Sequence, residues 1–220
     1  MLEGSLKMVK EMLVQSAALV EKMIEKSIDG LTNKDISLLS EVIEQDEPRE
    51  NALELEIDEA CIHWVACYQP QARHLRTIMM ILRMNNDLER IADEAVNICE
   101  SALVVVQEPD VKPLVDIPRM AEKAMGMLRD SLRSLLEENA DLGRKVCKQD
   151  DEVDELRDQV IRELVPIMKS RPETIDASIH LIRIARSLER IGDLSTNICE
   201  DVVYMVEGET IKHHQWRDCR

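Results

Sequence analysis

Residues 88–100 read LERIADEAVNICE, and residues 188–200 read LERIGDLSTNICE. Nine of these thirteen positions are identical at an offset of 100, so the chain carries a duplicated unit. Moving outward, EQDEPRE (44–50) is answered by KQDDEVD (148–154) at an offset of 104, and Pro70 by Pro172 at 102. The duplication therefore reaches well beyond the block that reveals it.

Each copy has helical periodicity. Leu6, Val9, Leu13, Ala17, Val20, Ile24 and Ile28 form one apolar stripe that predicts a helix over about 3–30, with Gly30 as its end. A second pattern runs over about 35–67, and a third opens at Pro70 and continues to about 107. QEPDVKPLVDIP, with Pro109, Pro113 and Pro118, cannot sustain a helix and reads as a connector. Beyond it the spacing predicts helices over about 118–139, 141–170 and 172–207. The expected fold is all-α, two tandem pseudo-symmetric three-helix bundles. They divide into a first repeat at 1–108, a connector at 109–117, a second repeat at 118–208 and a frayed tail at 209–220.

Composition agrees and excludes several functions. Aromatic residues are 2% of the chain, with no Phe, six Gly and seven Pro, which disfavours a β-sandwich or a doubly wound sheet. The formal net charge of −16 argues against nucleic acid, which is held by clustered cations. Up to Asp110 there are 10 basic against 22 acidic residues, so the acidity is concentrated in the first half. Six cysteines without a C-x-x-C pair point to reduced thiols and a cytoplasmic protein. Charges at each turn of the N-terminus rule out a signal-peptide core, and the longest uncharged run, 60–72, contains Gln and Pro, so no membrane insertion is expected.

The acids are where chemistry is expected. On a wheel of 100° per residue, Glu89, Asp93, Asn97 and Glu100 form one stripe opposite the apolar arc of Leu88, Ile91, Ala95 and Ile98. Glu189, Asp193, Asn197 and Glu200 repeat it. Asp46, Glu50 and Glu54 lie at i, i+4 spacing on the preceding helix, as do Asp150, Asp154 and Asp158. In an antiparallel hairpin level residues have a constant sum. Pairing Asp46 with Asp93 and Glu50 with Glu89 puts the apex between Gln69 and Pro70, and pairing Asp150 with Asp193 and Asp154 with Glu189 puts it between Arg171 and Pro172. Both apices fall at a proline turn.

Four level carboxylates per repeat need counter-charge. Two of them about 6 Å apart repel by roughly 0.7 kcal/mol at the dielectric of water, and by about four times more at an effective dielectric of 20. A multivalent cation bound by hard oxygen ligands, of the Mg, Ca, Mn or iron class rather than zinc, would reverse that sign. The alternative is a solvated charged face neutralised by Arg83, Arg90, Arg183 and Arg190, which recur at the repeat offset. Cys99 and Cys199 fall on the apolar arc and read as small hydrophobes. No nucleophile with an adjacent base and no glycine-rich phosphate loop occurs, so no catalytic residue is expected.

The duplicated LERI-x-D-x-x-x-NICE block, the QPQARHLR stretch at 69–76 and the D-x-x-x-[ED] element together resemble the PhoU family over about residues 6–207. The resemblance implies metal clusters on paired E/D-x-x-x-D motifs of adjacent helices. Position by position these are Asp46, Glu50, Glu89 and Asp93, then Asp150, Asp154, Glu189 and Asp193, with Asn97, Glu100, Asn197 and Glu200 as support. It also implies a non-enzymatic negative regulator linking the ATPase subunit of a phosphate ABC transporter to a sensor histidine kinase in the bacterial cytoplasm. Such a regulator is a homodimer, recruited to the inner face of the membrane by its partners. Two alternatives are an accessory protein of another phosphate permease and a carboxylate di-iron oxidoreductase, although the latter needs an E-x-x-H pair that the sequence lacks. Two departures stand out. SRPETIDASIHL replaces QPQARHLR in the second repeat, and Pro48 intrudes between Asp46 and Glu50, where regular helical geometry is least expected.

Overall fold

The periodic stretches all become helices in the computed structural model, which describes residues 2–211, with side chains from residue 4 onward. Helix α1 (Leu2–Asn33) buries Val9, Leu13, Ala17, Val20 and Ile24, the stripe read from the sequence. Gly30 does not end it. A Cβ there would stand 2.5 Å from Leu39 Cδ2, so this glycine lets the next helix pack close. Asp35 then caps α2 (Ile36–Glu41), its carboxylate accepting from Leu38 N–H at 3.1 Å.

The second expected helix continues through a π turn (Val42–Asp46) into α3 (Glu47–Tyr68). Pro48 supplies the reason. It has no N–H for the Glu44 carbonyl, and the wider register, with Glu47 N–H on Val42 O, accommodates the missing bond. Gln69 (φ 45°) and Ala72 (φ 47°) adopt left-handed backbone, so Pro70 lies in a loop and α4 (Arg73–Val105) starts three residues later than the sequence suggests.

After a connector over 106–115 come α5 (Asp116–Glu137), α6 (Ala140–Cys147) and α7 (Asp150–Ser170). The single helix expected over 141–170 is thus two. Lys148 and Gln149 N–H groups close tight i, i+3 bonds onto Lys145 and Val146, ending α6 and letting α7 restart on Asp150, Asp151 and Glu152, acids favourable at a helix N-terminus. A 3-10 turn (Pro172–Thr174) leads into α8 (Ile175–Glu207), which Gly208 ends at φ 78°.

Helices α4 and α8 form the central pair and run antiparallel, since Arg83 meets Asp201 and Arg76 donates to the Met205 carbonyl. Helices α1 and α3 flank α4, while α5, α6 and α7 flank α8. Leu88, Ile91, Ile98, Leu188, Ile191 and Ile198 are all fully buried in one apolar core that spans both repeats. No described helix is long and apolar enough to cross a membrane, and no strand occurs among the described residues. Of the tail, Ile211 is buried beside Ala140 and Val203, and residues 212–220 lie outside the described residues.

Candidate functional site

The hairpins of α3 with α4 and of α7 with α8 bring most of the expected acids together, but differently in each repeat. In the first, Glu50 is fully buried. Its Oε1 accepts from Ser16 Oγ at 3.0 Å, while its buried Oε2 meets no donor. Burial pushes its carboxyl up to about 7, the Ser16 hydrogen bond opposes this, and the charges of Glu89, Glu54 and Asp93 add to it. Glu89 and Asp93 are also raised, each chiefly by burial, then by Asp93 and Glu54 for Glu89 and by Glu94 for Asp93.

Asp46 does not join this group. The carboxylate accepts from Lys26 Nζ of α1 at 2.6 Å, and the same ammonium reaches Glu41 at 2.7 Å. Burial alone would lower Lys26, but its two acidic partners outweigh that and hold it above its ordinary value. The π turn carries Asp46 toward α1 and Cys99, whose thiol is pushed up to about 12 by burial and by the charges of Asp46 and Glu100. The expected level pair of Asp46 with Asp93 is therefore replaced by an ion pair with a third helix.

The second repeat reverses the pattern. Here the outer pair is neutralised, because Arg157 Nη1 bridges Asp154 Oδ1 at 2.8 Å and Glu189 Oε1 at 2.7 Å. The inner pair is only half answered, since Arg190 Nη1 reaches Asp193 Oδ2 at 3.1 Å while Asp150 forms no ion pair among the described residues. Asp150 is pushed up to about 7 by burial, then by Asp193, Asp154, Glu189 and Asp151. A Cβ on Gly192 would lie 3.3 Å from Asp150 Oδ1, so glycine, where the first repeat has Ala92, gives that carboxylate room against α8.

The four supporting positions do not extend the clusters. Asn97 is exposed and donates to Glu94 at 3.2 Å, while Glu100 points to solvent. Asn197 lines a cleft of about 440 Å³ with Met79, Arg83, Asn86, Asp87 and Arg90 of α4, and Glu200 is half-buried. The arginines expected to neutralise the acids mostly serve elsewhere. Arg83 pairs with Asp201 and Arg90 with Asp87, and only Arg190 reaches one of the predicted ligands, Asp193 at 3.1 Å.

Sequence reasoning missed Lys26, Arg157 and Ser16. Arg157 stands one helical turn from Asp154 and could have been found by its spacing. Lys26 and Ser16 come from α1, whose docking no spacing within the hairpin reveals.

The donor set suits a hard cation in charge and type: Glu50, Glu89 and Asp93 in one repeat, Asp150 and Asp193 in the other. Buried Glu50 Oε2, with no donor, is the atom such an ion would satisfy. Among the described residues no three His, Cys, Asp or Glu side chains stand close enough together to form a ready-made ligand set. Cys61 is also pushed up to about 12 by burial and then by Asp58, so its thiol, like that of Cys99, is protonated.

The comparisons with known proteins match both repeats. The PhoU domain covers residues 13–102 and again 117–202. The chain is 39% identical to the phosphate-specific transport system accessory protein PhoU homolog of Aquifex aeolicus over 95% of its length and 94% of the relative's. It is 32% identical to the accessory protein PhoU of Escherichia coli K12, covering 96% and 87%. The crystal structure of PhoU from Pseudomonas aeruginosa superposes with a TM-score of 0.90 at 33% identity, covering 95% of this chain and all of that one. The Streptococcus pneumoniae phosphate transport system regulatory protein shares the fold, at a TM-score of 0.87 and 24% identity.

Proposed function

Since the chain belongs to the PhoU family, we infer that it is a non-enzymatic accessory protein of phosphate transport that works by contact with partner proteins. In this reading it is a negative regulator of phosphate uptake and phosphate-starvation signalling. It links the ATPase subunit of a phosphate ABC transporter to a sensor histidine kinase, acting as a cytoplasmic homodimer recruited to the inner face of the membrane. The observation that carries the reading is the near full-length likeness, over both repeats, to proteins named for phosphate-specific transport. Helical faces of mixed charge fit a protein that works by binding partners.

The acidic surfaces add a second element. Hard cations would be held by Glu50, Glu89 and Asp93 in the first repeat and by Asp150 and Asp193 in the second, with Asp154 and Glu189 joining if Arg157 moves aside. Asp46, bound to Lys26, would contribute least. A bound ion would supply the positive charge that Glu50, Glu89, Asp93 and Asp150 find in no ion pair among the described residues. What supports this is the buried, donorless oxygen of Glu50 and the mutual repulsion felt at both sites.

A strain lacking its own copy of the gene tests the regulatory role. The wild-type chain should restore repression of a phosphate-starvation reporter in phosphate-rich medium, and unchanged reporter output would refute it. Elemental analysis of untagged protein purified without chelator tests the metal role. Alanine at Glu89 and Asp93 should lower the metal content, and equal content in wild type and variant would exclude those ligands.

A further inference from the structure

The central helices carry the same arginines at the repeat offset, yet only the α4 set is fully answered. On α4, Arg83 is paired with the buried carboxylate of Asp201 at 3.1 Å, and Arg90 with Asp87 at 3.6 Å. The α8 counterparts are Arg183 and Arg190, and the residues that answer Asp201 and Asp87 are Ser101 and Ser187. Neutral hydroxyls thus stand where the first half has carboxylates. Arg190 turns to Asp193. Arg183 is exposed and so is Arg186, which replaces Asn86 of the first half, and neither forms an ion pair among the described residues. Among the described residues of a chain with 44 acidic side chains, two guanidinium groups one turn apart therefore form no ion pair.

Apolar surface continues the same stripe. Ile175 is 39% exposed and Ile179 47%, and positions 175, 179, 183 and 186 share one face of α8 at about 100° per residue. Arginine is enriched at protein interfaces, because a guanidinium binds carboxylates bidentately and sheds water more readily than an ammonium, and the two exposed isoleucines beside it add apolar area for a partner to cover. Exposed Glu173 and Asp176 and the Glu189–Asp193 acids bracket the stripe. They would repel a broad anionic plane such as a membrane, whereas a single helix is narrow enough to touch only the arginines and isoleucines.

We propose that this face of α8 is the docking surface for an acidic, amphipathic helical segment of a protein partner, its apolar residues on Ile175 and Ile179 and its carboxylates on Arg183 and Arg186. The proposal rests on the reading of the chain as an accessory protein that works by contact. It is tested with a photo-crosslinking residue at position 179 of the full chain, in the complemented deletion strain, with the captured segment identified by mass spectrometry. The expected result is a net-negative segment with apolar residues at helical spacing. Arg183→Glu with Arg186→Glu should reduce the cross-link and the repression at least tenfold, while Arg162→Glu on α7 leaves both unchanged. The melting curve and sedimentation of the double variant should match wild type, and if it misfolds the Gln pair replaces it. Capture of a second copy, a lipid or a neutral or basic segment overturns the proposal, as does a cross-link indifferent to charge reversal. Failure of the wild-type chain to repress would sink the regulatory reading and leave the cross-link result to stand by itself.

Discussion

The two acidic hairpins descend from one pattern, and two substitutions give them opposite electrostatics. Arg157 of the second repeat answers Leu53 of the first, so Asp154 and Glu189 have a cation where Glu50 and Glu89 have an aliphatic side chain. Lys26 of the first repeat is answered at the offset of 104 by Asp130, so Asp46 is neutralised and Asp150 is not. Among the described residues the first repeat thereby keeps Glu50, Glu89 and Asp93 without an ion pair, and the second keeps only Asp150. A duplicated scaffold held by a common core can let its two sites diverge through single residues, because the core does not depend on which carboxylates carry a partner.

The comparison first requires that the two cores be equivalent. Leu88→Ala and Leu188→Ala both empty fully buried positions and should each cost about 2–5 kcal/mol, by an amount equal within about 1 kcal/mol, as read from urea unfolding. A large inequality would mean that the repeats are packed differently and that the electrostatic contrast is not isolated from packing.

A smaller loss is expected from Lys26→Met, which strands Asp46 in a site only 8% exposed and should cost about 2–4 kcal/mol. Asp130→Met in the second repeat leaves no ion stranded and should change stability by less than about 1 kcal/mol. Equal losses from both would erase the distinction drawn between the inner pairs.

Next comes Glu50→Gln, which keeps an acceptor for Ser16 and removes the charge. Folding raises the Glu50 carboxyl from about 4.5 to about 7, so the native state binds its proton more tightly than the unfolded chain does. The associated stability is complete below pH 4.5 and disappears as pH climbs to about 7. In chelator-treated protein the Gln variant should therefore gain on wild type across that window, by roughly 1 kcal/mol or more at its upper end. Parallel pH profiles would show that Glu50 is not desolvated in solution.

The smallest effect belongs to the swap of the deciding residues. Arg157→Leu should destabilise metal-free protein by at most about 1 kcal/mol, since its partners are partly exposed, and Leu53→Arg should relieve the first site by a similar amount. Their metal contents should move in opposite directions, up for Arg157→Leu and down for Leu53→Arg. Movement of both in one direction would break the link between neutralising cation and ion binding.

Much of this molecule is legible in linear order. The duplicated block, the 3.6-residue periodicity of the apolar stripes and the prolines at 109, 113 and 118 specify two copies of a helical unit, because side-chain period and backbone breakers are local properties. Equal rise along antiparallel helices was enough to place Glu50 near Glu89 and Asp150 near Asp193. Pro48 marked the place where regular geometry fails, and the π turn lies there.

What tertiary structure alone decided is which charges find a partner. Lys26 and Ser16 reach the first hairpin from α1, Asp201 reaches Arg83 across the antiparallel contact of α4 and α8, and Asn197 faces that contact rather than the acids. These neighbours are tens to more than a hundred residues away in sequence, and their approach depends on how helices dock rather than on how each one forms. Coulomb energy and desolvation depend on distance and burial in three dimensions, so acids equivalent in the sequence acquire different partners and different affinities for a proton only once the bundle has closed.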